Sequence, residues 1–212
     1  MSKPAIKMIQ TGLLHLGHDP GPLDGVLGPR TMGALEAWVD ALSAKEDAPT
    51  GTVLPETRAM ILQGSARHPV REVVIHCSAT RADWMHNATL AEQVAEIRRW
   101  HMRDRGWRDI GYHWIVGRSG QVLAGRPETS RGAGVEGHNA GVIHVCLIGG
   151  HGSSARDAFS RHFTGAQDIT LRQMLQGIGM RTQVTRISGH NEWAAKACPG
   201  FHVPTWLKRE AA

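Results

Sequence analysis

Cysteine is scarce: Cys77, Cys146 and Cys198 are the only three in 212 residues. An odd number without framework spacing excludes a disulfide-stapled scaffold. No apolar run approaches the ~18 residues of a membrane span. Residues 1–18 are interrupted by Lys7, Gln10 and His15 and lack the apolar core and small-residue cleavage site of a secretory leader. The expectation is a chain made in the cytoplasm without a signal peptide and not inserted in a membrane. Acidic residues are outnumbered, 19 against 24 Lys and Arg, for a net charge of +5. That balance suits an acidic partner such as nucleic acid, a membrane surface or an anionic wall polymer, and does not choose among them. With 41% hydrophobic and 20% charged residues, the chain has enough apolar material for a core, which excludes disorder.

Ile6, Ile9, Leu13 and Leu16 fall on one helical face, predicting a helix over residues 3–16. A turn, HDPGPLDG, follows, and Pro29 opens a second helix carrying Leu35, Trp38, Val39 and Leu42. GVLGPRTMGAL at 25–35 resembles GTVLPETRAMI at 51–61, a repeat seen only twice. QGSARHP, residues 63–69, reads as linker. The β-branched run Val73-Val74-Ile75 predicts a strand buried on both faces, ending at His76. Thr89 to Glu92 and Thr164 to Gln167 are capping boxes, each opening a helix. Residues 111–127 read as two strands about Arg118-Ser119-Gly120. VIHVCLIGG predicts a strand with His144 and Cys146 on one face, Cys146 as core. HGSSARDAFSRHF reads as loop. TQVTRIS predicts the last strand, delivering the chain to His190.

GHNEWAAKACPGF, residues 189–201, carries the chemistry. His190 and Cys198 stand eight residues apart, and imidazole with thiolate suits zinc. Sites in α/β sheets gather at the carboxyl ends of strands, which makes His76 the leading third ligand, with water in the fourth position. A cysteine–histidine nucleophile using Cys77 or Cys198 stays open on the residues alone. The H-x-E at His190 lacks the P-C-x-x-C of a zinc deaminase. GAGVEG at 132–137 matches G-x-G-x-x-G, but a strand-like run follows it instead of a helix, so it reads as a cleft-lining loop and not a dinucleotide site.

Two resemblances follow. LHLGHDPGPLDGVLGPRTMGALEAW, with its DG-x-x-G-P-x-T pattern, resembles the three-helix peptidoglycan-binding module of cell-wall hydrolases over roughly residues 3–62. VIHCSAT, GWRDIGYHWIVGRSGQVLAGRP, GVIHVCLIGG and GHNEWAAKACPGF, in that order, resemble the phage lysozymes that are N-acetylmuramoyl-L-alanine amidases, which share their fold with the peptidoglycan recognition proteins. The resemblance implies an α/β (α+β) fold, a mixed central sheet flanked by helices, preceded by a small all-α three-helix domain. It implies residues 1–64 as wall-binding module, 65–69 as linker and 70–212 as catalytic domain. It implies one Zn2+ on His76, His190 and Cys198, and catalytic support from Tyr112, the only tyrosine, and Lys196. Asn139, Asp24 and Gly25 are its candidate substrate contacts. His144 stands where the family pattern has a small glycine.

The implied function is an endolysin-type hydrolase, held in the cytoplasm until lysis and acting on the wall after release. It would cut between N-acetylmuramic acid and L-alanine, as a monomer with peptidoglycan as partner. The alternatives are a cytoplasmic muropeptide-recycling amidase and a non-catalytic recognition module, the latter disfavoured by the presence of Cys198. Nucleic acid is an unlikely partner, since no nucleic-acid motif is recognisable.

Overall fold

The structure is a computed structural model describing residues 2–15, 17–46 and 60–208. The chain divides into two compact units, Met1–Glu56 and Thr57–Ala212.

The first unit contains helices α1 (Lys3–His15) and α2 (Pro29–Glu46). Ile6, Leu13 and Ala34 are buried in it. Gln10 is buried with them and serves as a polar pin. Its amide donates to Asp24 Oδ1 (3.1 Å), the Val26 carbonyl (3.0 Å) and Thr31 Oγ1 (3.1 Å), and accepts the Gly25 N–H (3.0 Å). Full pairing of this kind is what allows an amide to be buried. The third helix of the expected bundle, and most of the second repeat at 51–61, lie outside the described residues.

The second unit begins with a hairpin, β1 (Leu62–Gln63) and β2 (His68–Pro69), paired antiparallel. The stretch expected as linker is therefore part of this unit. Strand β3 (Glu72–Cys77) leads to helix α3 (Leu90–Arg99), whose last turn widens into a π-helical turn over Trp100–Asp104. Then come β4 (Trp114–Val116), β5 (Val122–Ala124) and β6 (Val142–Leu147). The expected loop after β6 contains a one-turn helix, α4 (Phe159–His162). Helix α5 (Gly165–Arg181), β7 (Arg186–Gly189) and α6 (Val203–Leu207) complete it. Both capping boxes form as the sequence predicts, on α3 and α5.

The sheet order is β5-β4-β6-β3-β7. β4, β6, β3 and β7 run parallel, and β5 closes one edge antiparallel, so the sheet is mixed. β3 and β6 are buried at every residue, which explains their unbroken apolar character. One face, with Val73, Ile75, Val145 and Leu147, packs against Leu171, Leu175 and Ile178 of α5 and against Trp206. The other carries Cys146 and Ile148 against Leu90, Val94 and Ile97 of α3. Burial of each such side chain contributes about 1.5–3 kcal/mol. Among the described residues no helix is long and apolar enough to cross a membrane.

Candidate metal centre

Two strand ends and a loop build the site. His76 is the fifth residue of β3 and is 1% exposed. β7 pairs with β3 in parallel, Gly189 opposite Ile75, so His190 leaves β7 beside His76; the two rings stand 4.9 Å apart. Cys198 comes from the loop before α6, where its Sγ accepts the Cys77 N–H at 3.3 Å and lies 3.8 Å from His76 Nδ1. The donor atoms of His76, His190 and Cys198 all lie within 4.8 Å of one another. Bonds of about 2.0 Å to nitrogen and 2.3 Å to sulfur at a tetrahedral angle would set a nitrogen and a sulfur about 3.6 Å apart, close to the His76–Cys198 separation. Two imidazoles and a thiol are a donor set that fits zinc and leaves a fourth position open.

For the two histidines the electrostatics agree with ligand duty. Burial, then the neighbouring His144, His190 and Lys196, pushes the His76 pKa well below 6.5, and burial with Lys196 lowers His190. Both rings are therefore neutral, the form that coordinates a cation. The adjacent Cys77 thiol and burial push the Cys198 thiol up. A cation among the three ligands is the charge that would favour its thiolate.

Tyr112 precedes β4, its ring 5.2 Å from that of His76. Burial, then Cys146, Cys198 and Cys77, pushes its phenol well above 10, so it stays protonated and can donate. Lys196 is exposed, and its charge bears on both His76 and His190.

The remaining sequence candidates have local structural uses. The Asn139 side chain is engaged with the backbone of Val135, accepting its N–H at 3.0 Å and donating to its carbonyl. It shapes the loop that covers the site. Asp24 and Gly25 lie in the first unit. Asp24 accepts from Gln10 and from the Val26 N–H, and Gly25 adopts φ +77° where a Cβ would stand 2.6 Å from the Lys3 carbonyl oxygen. Their pattern encodes a turn.

The glycine-rich loop, read from sequence as lining the cleft, packs onto the histidines. A Cβ at Gly134 would lie 2.5 Å from His144 Nδ1 and 2.8 Å from His76 Nε2; one at Gly132 would lie 2.4 Å from His144 Cδ2. The loop is pinned where His138 stacks on Trp193 at 3.6 Å and bonds Glu72 at 2.7 Å. Sequence reasoning passed over His144 as a site residue, and over His101, which stacks on Trp107 and meets Tyr112 edge-on. The alternation of β6 was the available signal for His144.

A family profile described as N-acetylmuramoyl-L-alanine amidase matches residues 66–201. The endolysin of Klebsiella phage KP32 is 36% identical over 148 residues, covering 70% of this chain and 92% of that protein. Among solved structures, Drosophila peptidoglycan recognition protein SD superposes with a TM-score of 0.55 at 20% identity, covering 74% of this chain and 89% of that one. The endolysin amidase LysCS of Clostridium intestinale URNW gives 0.53 at 22%, covering 72% and 90%.

Proposed function

The chain belongs to the N-acetylmuramoyl-L-alanine amidase family, and from that premise we propose that it works with one zinc ion held by His76, His190 and Cys198. It is a peptidoglycan hydrolase of the endolysin type, cutting the amide between N-acetylmuramic acid and the L-alanine of the stem peptide. The observation that carries the metal reading is the convergence of two neutral imidazoles and one thiol at the carboxyl ends of parallel strands. When bound, zinc supplies Lewis acidity and lowers the pKa of water to about 7, giving a nucleophile at neutral pH.

The chain's own groups handle the charge that follows. Attack on the amide carbonyl builds negative charge on its oxygen. We assign the Tyr112 phenol, kept protonated by burial, and the Lys196 ammonium as the donors that meet it. The neutral His76 and His190 hold their lone pairs ready for the metal. The glycine loop over His76 and His144 screens that side of the site from water.

The first unit serves as a wall-binding module and the second as the catalytic domain, working as a monomer. Synthesis in the cytoplasm and action on the wall after release complete the reading. The net charge of +5 favours contact with an anionic wall and weakens with salt.

The test is purified peptidoglycan incubated with the protein, with and without a zinc chelator. New N-terminal alanine that disappears with chelator and returns with added zinc is the expected result. New reducing sugar ends would assign a glycosidase, and activity indifferent to chelator would remove the metal.

A further inference from the structure

We propose that His144 is a positioning residue for His76, fixing that ligand to offer Nδ1 to the metal; the inference rests on the zinc reading above. The two histidines meet through strand register. β6 runs parallel to β3 with His144 opposite Val74 and Cys146 opposite His76, so His144 lies diagonally from His76 on the same face. Its Nδ1 is 3.0 Å from His76 Nε2.

The bond settles the tautomer. His76 Nδ1 faces Cys198 Sγ at 3.8 Å. To ligate from that side, Nδ1 must carry a lone pair, which leaves the proton on Nε2. His76 Nε2–H then donates to His144 Nδ1. A partner on the far nitrogen orients a ligating imidazole and raises its basicity.

The surroundings of His144 fit this use. The ring is fully buried, and its own Nε2 has no hydrogen-bond partner among the described residues. A buried imidazole with one nitrogen unpaired is a poor stabilising device, so its placement is explained by the nitrogen that is bonded. His113 stacks on it, ring centroids 5.7 Å apart and planes 13° from parallel. His113 Nδ1 accepts the His144 backbone N–H at 2.9 Å, so His113 carries its proton on Nε2 and donates it to the Ser130 carbonyl at 2.9 Å. Gly134 packs against the bonded nitrogens themselves, where a Cβ would collide with both. Backbone, ring stack and loop together hold His144 in place, and His144 in turn orients His76.

The experiment uses the full chain stripped of metal, with zinc titrated against a chromophoric chelator. The variants are His144→Leu, His144→Asn and Cys198→Ser, Asn placing an acceptor oxygen where Nδ1 stood. His144→Leu is expected to weaken zinc binding about 10–100-fold, and His144→Asn to recover most of the loss. Long-range 15N–1H spectra of the zinc-loaded wild type should show the His76 proton on Nε2, a readout that needs no variant to fold. Wild-type affinity in His144→Leu, equal weakening in Leu and Asn, or metal on His76 Nε2 would each overturn the positioning role. Wild-type affinity in Cys198→Ser would instead overturn the zinc site, and this inference with it.

Discussion

Lys196 stands two residues before Cys198, exposed, with its charge reaching His76 and His190. Tyr112 is held beside His76 with a phenol that burial keeps protonated. Neither residue is one of the three proposed metal donors, so catalysis and metal binding should separate. Lys196→Ala and Tyr112→Phe are each expected to lower kcat by about 100-fold, while zinc affinity stays within a few-fold of wild type. Steady-state kinetics on muropeptides, paired with zinc titration, measure both; an unchanged kcat in either variant removes that residue from the mechanism. The grouping of His76, His190 and Cys198 was legible in sequence because each lies at a strand end or in the histidine-cysteine spacing of the C-terminal motif. For His144 the face of β6 was legible but its partner was not, because the pairing with His76 is set by the register of β6 on β3. Asn139 misled for the opposite reason: a loop asparagine is as useful for holding a turn as for holding a ligand.

At the scale of elements, glycine has two meanings here, and substitution should distinguish them. Gly177 lies inside α5, where a Cβ would meet nothing within 4 Å. Gly177→Ala should raise stability by about 0.5–1 kcal/mol, the helix cost of glycine. Gly134 lies against the His76–His144 bond, where a Cβ would stand 2.5 Å and 2.8 Å from its two nitrogens. Gly134→Ala must displace the loop or the rings, and should lower both the thermal midpoint and zinc affinity. Thermal unfolding with and without zinc checks both variants; a harmless Gly134→Ala would show that the loop does not need to pack against the two rings. Capping boxes and β-branched runs made α3, α5 and β3 readable, since those signals are local. The hairpin β1–β2 was read as linker because two-residue strands are too short to show alternation. The one-turn helix α4 carries no side-chain cap to announce it.

For the whole molecule, the buried histidines set a pH dependence. Burial, then the charges of Arg105 and Arg126, lowers the His101 pKa from 6.5 to about 4. His76, His113 and His144 shift the same way, burial leading in each. Between these pH values the unfolded chain binds protons that the folded chain refuses, so stability falls as pH drops from about 6.5 through about 4. His101 contributes to that loss across the window. Urea midpoints of the metal-free chain should decline steadily from pH 7 to 4, and a flat profile would contradict burial of neutral rings.

The division of the chain gives the last prediction. The sequence placed the end of the first domain at residue 64, but Gln63 belongs to the second unit. Its buried amide accepts the Gly141 N–H at 3.0 Å and donates to the carbonyls of Val142 at 2.9 Å and Glu128 at 3.1 Å. Ile61 likewise accepts the Val70 N–H at 2.8 Å. A chain beginning at Thr57 keeps these bonds, and one beginning at Ser65 leaves buried groups unpaired at about 1–3 kcal/mol each. The longer form should keep full activity on soluble muropeptides and, if the first unit is the wall-binding module we propose, lose pelleting with sacculi. The shorter should melt several degrees lower and lose activity with its fold. Undiminished pelleting of the longer form would deny the first unit its wall-binding role, and equal melting of the two would deny Gln63 its place in the catalytic core.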